Sequence, residues 1–202
     1  MKRFWMLCVL AWAGWAGAEM PAGHLFYSHG AIVEGENPRP EHPRYGIYDF
    51  PAVVDALRGL GWQVHARHRP AGQSVDQAAA ELAAEVRRWL DTGVAPAHIA
   101  LLGFSRGGVI TLKASQLLDE PEIRLVLQAA CFQGLRRRAL DPSGRLYVMY
   151  EQSDRVGSCR PLLPGWPRVK LMDEKALDTG LGHGAFYRPD ERWLSPLRQW
   201  LN

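Results

Sequence analysis

Ile99-Ala100-Leu101-Leu102-Gly103-Phe104-Ser105-Arg106-Gly107-Gly108 is the stretch from which the fold of this chain is read. Ile99 to Phe104 carries no polar side chain, as expected of a strand buried on both faces of a sheet. Gly107 to Leu118 then continues as a helix. So abrupt a passage from strand to helix forces a strained turn on Ser105, and side chains two places before and after it would collide. Glycine stands at both places, Gly103 and Gly107. The turn lifts the Ser105 hydroxyl clear of the sheet and aims the Arg106 backbone N–H at the same spot from a helix N-terminus. Phosphate-binding turns need different spacings. G-x-x-x-x-G-K-S/T is absent, and no G-x-G-x-x-G follows a strand.

Outward from this stretch, strands alternate with helices. Leu25 to Ser28 is a short apolar strand ending at His29-Gly30. A loop rich in proline and histidine follows, from Glu34 to about Tyr48. Pro51 opens a helix with Val53, Val54, Leu57 and Leu60 on one face, stopped by Gly61. Trp62 to His65 reads as a strand, and Ser74 with Gln77 has capping-box spacing before the helical Ala78, Leu82, Val86 and Trp89. Beyond the central stretch come strands at Leu125–Ala130 and Leu146–Tyr150, and a weaker one at Val169–Met172. Trp193, Leu194, Leu197 and Leu201 make the stripe of a last helix. Short connections between alternating elements predict an α/β fold, a mostly parallel sheet with helices on both faces. Active sites in open sheets of this kind lie at the carboxyl ends of the strands.

The 202 residues are 47% hydrophobic and 22% charged, with 20 glycines and 14 prolines. Those values exclude a disordered, collagenous or coiled-coil chain. Residues 1–18 read as a cleaved secretory signal peptide: Lys2 and Arg3, an apolar run from Phe4 to about Ala13, then Ala16-Gly17-Ala18. The apolar run is shorter than the ~20 residues that a membrane span needs. A single domain over residues 19–202, periplasmic or secreted and without stable membrane insertion, is the expectation. Removal of the leader takes two basic residues and no acidic ones, which lowers the formal net charge from +3 to +1. That balance predicts no nucleic-acid partner, and Arg136-Arg137-Arg138 reads as a solvated loop face. Cys8 leaves with the leader. The remaining pair, Cys131 and Cys159, is expected to form a disulfide in an oxidising compartment.

A serine hydroxyl is a weak nucleophile and needs a base held by an acid. His183 sits in Gly180-Leu181-Gly182-His183-Gly184-Ala185, a glycine-flanked loop after the last strand, and is the expected base. His24 and His98 precede strands, at the wrong end of the sheet. His65 and His68 are an odd number of residues apart, so on a strand they face opposite ways and make no metal pair. His42 reads as a rim residue. Asp154, in the loop after the strand at 146–150, is the expected acid; its rival Glu151 still continues the strand, and Asp173 and Asp178 are weaker options. The order Ser105, Asp154, His183 is one of the known orders of such a triad. Arg106 and Ala31 backbone N–H groups are the expected oxyanion donors, and the His29 side chain is read as structural. The Arg106 side chain is expected to pair with a carboxylate and hold its loop; attraction of an anionic substrate is the alternative. The chemistry calls for no cofactor and no metal.

In these residues the chain resembles the α/β-hydrolases, as a small serine hydrolase without a cap. His29-Gly30, Gly103 to Gly108, Asp154 and His183 carry the resemblance, over about residues 24 to 201. It implies a mostly parallel sheet, a serine nucleophile and acyl-enzyme chemistry. Esterases, lipases, amidases, peptidases and thioesterases share such a site. Only Phe132 to Gly144 separates the strand at 125–130 from the one at 146–150, which leaves no room for a helical cap. The site is then open, with Glu34–Tyr48 as its only long lip, and suits a small or soluble polymeric ester. Hydrolysis of a carboxylic ester is the expected function. An amidase or peptidase using the same triad, and a non-catalytic binding protein on the same scaffold, are the alternatives.

Overall fold

Six parallel strands form the central sheet in the computed structural model, which describes residues 22–202. The leader expected over residues 1–18 lies outside the described residues. In chain order the elements are β1 (His24–Ser28), β2 (Glu41–His42), β3 (Gly46–Ile47), α1 (Phe50–Arg58), β4 (Gln63–Ala66), α2 (Val75–Asp91), β5 (Ile99–Phe104), α3 (Arg106–Leu118), β6 (Arg124–Gln128), β7 (Gly144–Glu151), β8 (Val169–Leu177) and α4 (Glu191–Leu201). The strand order is β4-β1-β5-β6-β7-β8. The sheet is thus of the expected kind, with helices on both faces and no antiparallel member among its six strands.

Side-chain alternation along the strands divides the core in two. Leu25, Tyr27, Ala100, Leu102, Phe104 and Val126 face α1 and α4, which supply Val53, Leu57, Trp193 and Leu197. Phe26, Ile99, Leu101, Leu125 and Leu127 face α2 and α3, which supply Ala79, Val86, Ile110 and Leu112. The period of two in each strand and the 3.6 period in each helix are what make two faces from one sequence. From β1 the chain crosses to β4 on one side, then passes back over β1 to β5 on the other. The order therefore reverses between β1 and β5, whose ends pair Ser28 with Gly103. A reversal of this kind opens a crevice at the carboxyl ends of the two strands.

Several elements differ from expectation. β8 runs to Leu177, five residues past Met172, although Asp173, Glu174 and Lys175 break its apolar pattern. It is an edge strand, and a register shift opposite Leu146/Tyr147 bulges it, so polar side chains there meet solvent and loops. β6 stops at Gln128, where Ala129 turns to φ 45°. The Glu34–Tyr48 lip contains the two-stranded β2–β3 hairpin. Ser74 caps α2 by accepting from Gln77 N at 3.0 Å, but the Gln77 side chain turns to Glu81 and leaves the capping box half made. His68 lies beyond β4 rather than on it, and its ring reaches Val33 O. Between β6 and β7 there is one short 3-10 turn, Gln133–Arg137, and no cap. Among the described residues no helix is long and apolar enough to cross a membrane.

Candidate active site

Ser105 joins β5 to α3 at φ 54° and ψ −119°, a conformation costly for any residue with a Cβ. Close packing on either side imposes it. A Cβ on Gly103 would stand 2.6 Å from Gly107 O, and one on Gly107 would stand 1.9 Å from Ser28 O. The turn therefore needs bare backbone at both places, as its spacing predicts. Ser105 N donates to Gln128 O on the neighbouring β6 at 2.9 Å, which fixes the turn to the sheet.

His183 comes to this turn from a 3-10 turn, Gly182–Phe186, after β8. Its Nδ1 lies 2.6 Å from Asp154 Oδ2 and its Nε2 lies 2.9 Å from Ser105 Oγ. A carboxylate only accepts, so Nδ1 carries the proton and donates it; Nε2 is left with a lone pair facing the hydroxyl. The three residues read from the sequence thus stand in one hydrogen-bonded line. Phe104 and Tyr45 flank the imidazole, with ring centroids at 4.9 and 6.4 Å. The Asp154 side chain is only 6% exposed.

The residues expected to donate to an oxyanion lie at the ends of β1 and β5. Arg106 is the first residue of α3, and Ala31 opens a short 3-10 turn, Ala31–Val33. Among the described residues neither backbone N–H has an acceptor. A Cβ on Gly30 would stand 3.6 Å from Ser105 Cβ, so the two loops touch. His29, fully buried, sets the Gly30–Ala31 peptide. Its Nε2 accepts from Arg69 N at 2.9 Å, so Nδ1 holds the proton and donates to Gly30 O at 2.8 Å. In a trans peptide the Ala31 N–H then points the other way. Burial, and next the Arg69 charge, hold the imidazole neutral and push its pKa down to about 3.

Arg106 has the structural role expected of it. Its Nε stands 3.2 Å from Glu34 Oε1 and its Nη2 donates to Gln73 O at 2.8 Å. Glu34 also pairs with the buried Arg69 at 3.3 Å. Cys131 and Cys159 are joined in a disulfide, Cα to Cα 5.1 Å, across the ends of β6 and the loop after β7.

Three contributions escape the sequence. Glu151, which the sequence offers only as a rival acid to Asp154, ties the two site loops together. Oε1 accepts from Thr179 N at 3.0 Å and Gly180 N at 3.1 Å, ahead of His183. Oε2 accepts from Ser153 N at 2.7 Å and from Ser153 Oγ, next to Asp154. Thr179 and Gly180 are 28 and 29 residues away, and no local pattern announces them. Tyr45 packs its Cβ so close to Gly184 that a Cβ there would stand 2.7 Å away. The Glu34–Tyr48 lip is also not the only wall. An open groove of about 600 Å³ beside Ser105 runs between Ser74-Val75 and the Phe132–Arg138 turn.

Residues 61–140 match the family model described as Phospholipase/Carboxylesterase. No curated protein matches the chain. In structure the chain is similar to SOBER1 of Arabidopsis thaliana, with a TM-score of 0.59, 13% identity, and coverage of 89% of this chain and 97% of that one. It is similar to the esterase domain of a Rhodothermus marinus protein, with a TM-score of 0.56, 14% identity, and coverage of 90% and 86%. It is also similar to XC6422 of Xanthomonas campestris, described as an α/β serine hydrolase without lid, with a TM-score of 0.55, 19% identity, and coverage of 92% and 82%. At such identities these likenesses carry the fold and nothing finer.

Proposed function

The chain has the α/β-hydrolase fold without a cap, and from that premise we propose that it is an esterase-type serine hydrolase working through an acyl-enzyme. One observation carries the reading: the strained Ser105 has its Oγ 2.9 Å from His183 Nε2, whose Nδ1 is 2.6 Å from Asp154. The family match over residues 61–140 supports ester hydrolysis as the reaction.

Ser105 Oγ attacks the ester carbonyl carbon while His183 Nε2 takes its proton. Negative charge collects on the carbonyl oxygen, where the Arg106 and Ala31 N–H groups stabilise it. Asp154 stabilises the imidazolium and keeps the ring oriented. His183 gives the proton to the leaving alkoxide as the C–O bond breaks, and an acyl-Ser105 remains. Water then attacks the acyl carbon, His183 again taking and returning the proton, and acid and free Ser105 are released. The open groove supports a small or soluble ester as substrate.

Intact mass after treatment with a fluorophosphonate tests the reading. Wild-type protein gains one adduct; Ser105→Ala and His183→Ala gain none. Ester turnover falls by about 10⁴-fold or more in Ser105→Ala. Folded wild-type protein that stays unlabelled overturns the proposal in favour of a binding protein on this scaffold. The Cys131–Cys159 bond supports a site of action in an oxidising compartment, periplasmic or secreted, after loss of residues 1–18.

A further inference from the structure

We infer that the groove beside Ser105 selects esters that carry a second, ionised carboxylate, with Arg138 as the residue that recognises it. The inference rests on the proposed serine-hydrolase reading and names its substrate class.

The charge balance of the groove points to an anion. Ser105, Arg106 and Arg138 line it, and no carboxylate side chain does. The two cations are not equivalent. Arg106 is neutralised by Glu34, with Nε and Oε1 3.2 Å apart, and its Nη2 is engaged by Gln73 O. Arg138 ends the Gln133–Arg137 turn, and among the described residues its guanidinium has no partner. Its neighbours in the basic run differ. Arg136 donates to Pro161 O at 2.9 Å, and Arg137 does not reach the groove. Of three consecutive arginines, one is presented to the space in front of the serine.

Besides Ser105 and the two arginines, the groove is lined by Ser74 and Gly134 and by the apolar Val75, Val109, Phe132 and Leu135. Arg138 is exposed to solvent in this open groove, so its attraction for an anion is modest and screened by salt. A short hydrocarbon chain suits the apolar part of that lining, with the scissile carbonyl at Ser105 and a carboxylate at Arg138. One guanidinium offers one planar fork, which matches the single charge and two oxygens of a carboxylate.

The test uses 4-nitrophenyl esters in matched pairs. In one pair the acyl chain ends in a carboxylate or in the neutral carboxamide of the same shape. In the other the same two ends are carried on the alcohol part. Wild-type kcat/KM is expected to favour the carboxylate about tenfold in at least one pair, the size of one charged hydrogen bond at a partly exposed site. The preference shrinks with added salt. It vanishes in Arg138→Gln, reverses in Arg138→Glu, and survives in Arg137→Gln. Equal rates within both wild-type pairs, or a preference that persists in Arg138→Gln, overturn the inference and leave the hydrolase reading intact. Hydrolysis that persists in Ser105→Ala overturns the hydrolase reading, and this one with it.

Discussion

Glu151 is 1% exposed and yet holds its charge. Burial by itself would raise its pKa. Hydrogen bonds from Ser153, Thr179 and Gly180 outweigh that and bring it down from an ordinary 4.5 to about 2. The folded chain thus binds fewer protons at this group than the unfolded chain does. Its contribution is complete above about pH 4.5 and is lost as the pH falls toward 2. Glu151→Gln cannot accept at its amide nitrogen, and is expected to lose about 2–3 kcal/mol at neutral pH. Denaturant melts from pH 7 to pH 2 check this: the difference from wild type shrinks between pH 4.5 and 2, and a difference that does not vary with pH refutes it. Because Glu151 holds the loops of both Asp154 and His183, fluorophosphonate labelling also slows in the variant. Gly107 is the second decisive residue. A Cβ there meets Ser28 O at 1.9 Å, which is backbone and cannot swing aside. Gly107→Ala is expected to cost about 2–3 kcal/mol or more by overpacking, read from chemical denaturation, and to abolish labelling because Ser105 moves with the turn. At this scale the sequence was informative where chemistry demanded a bare backbone or a nucleophile. It was silent on Glu151, two of whose partners, Thr179 and Gly180, are distant in the chain.

Among the elements, β5 and α3 were legible because both are buried, and burial writes an uninterrupted apolar strand and a glycine-marked helix start. β8 was only half legible. Its outer residues sit at an edge beyond a bulge, where Asp173 accepts from Trp200 Nε1 and Glu174 accepts from Cys159 N, each at 2.9 Å. Those carboxylates look like loop residues until their partners are in place. Glu174, with the disulfide, pins the segment after Asp154. The Cys131–Cys159 bond spans 28 residues, for which loop entropy gives about 3–4 kcal/mol. Replacing both cysteines by alanine is expected to lower Tm by about 10 °C. Scanning calorimetry with and without reductant checks it: reduction shifts the wild type and leaves the variant unchanged.

Over the whole molecule, the two cores on opposite faces of the sheet leave the carboxyl ends of β1, β5, β7 and β8 to carry the proposed catalytic residues and oxyanion donors. That arrangement explains how Ala31, Ser105, Asp154 and His183, spread over most of the chain, share one place. The sequence by itself determined the alternation of strands and helices, the turn at Ser105, the absence of a cap, and the residues able to form a triad. Each is a local property, set by side-chain period, by glycine at a crowded turn, or by the length of a connection. Only the tertiary structure decided which groups meet. The strand order brings His183 to within 2.9 Å of a serine 78 residues earlier, and joins Glu34 to Arg106 and Glu151 to two loops. It also turns one arginine of three toward the groove. Contacts of that kind depend on how distant segments cross in space, and a linear pattern carries no record of the crossing.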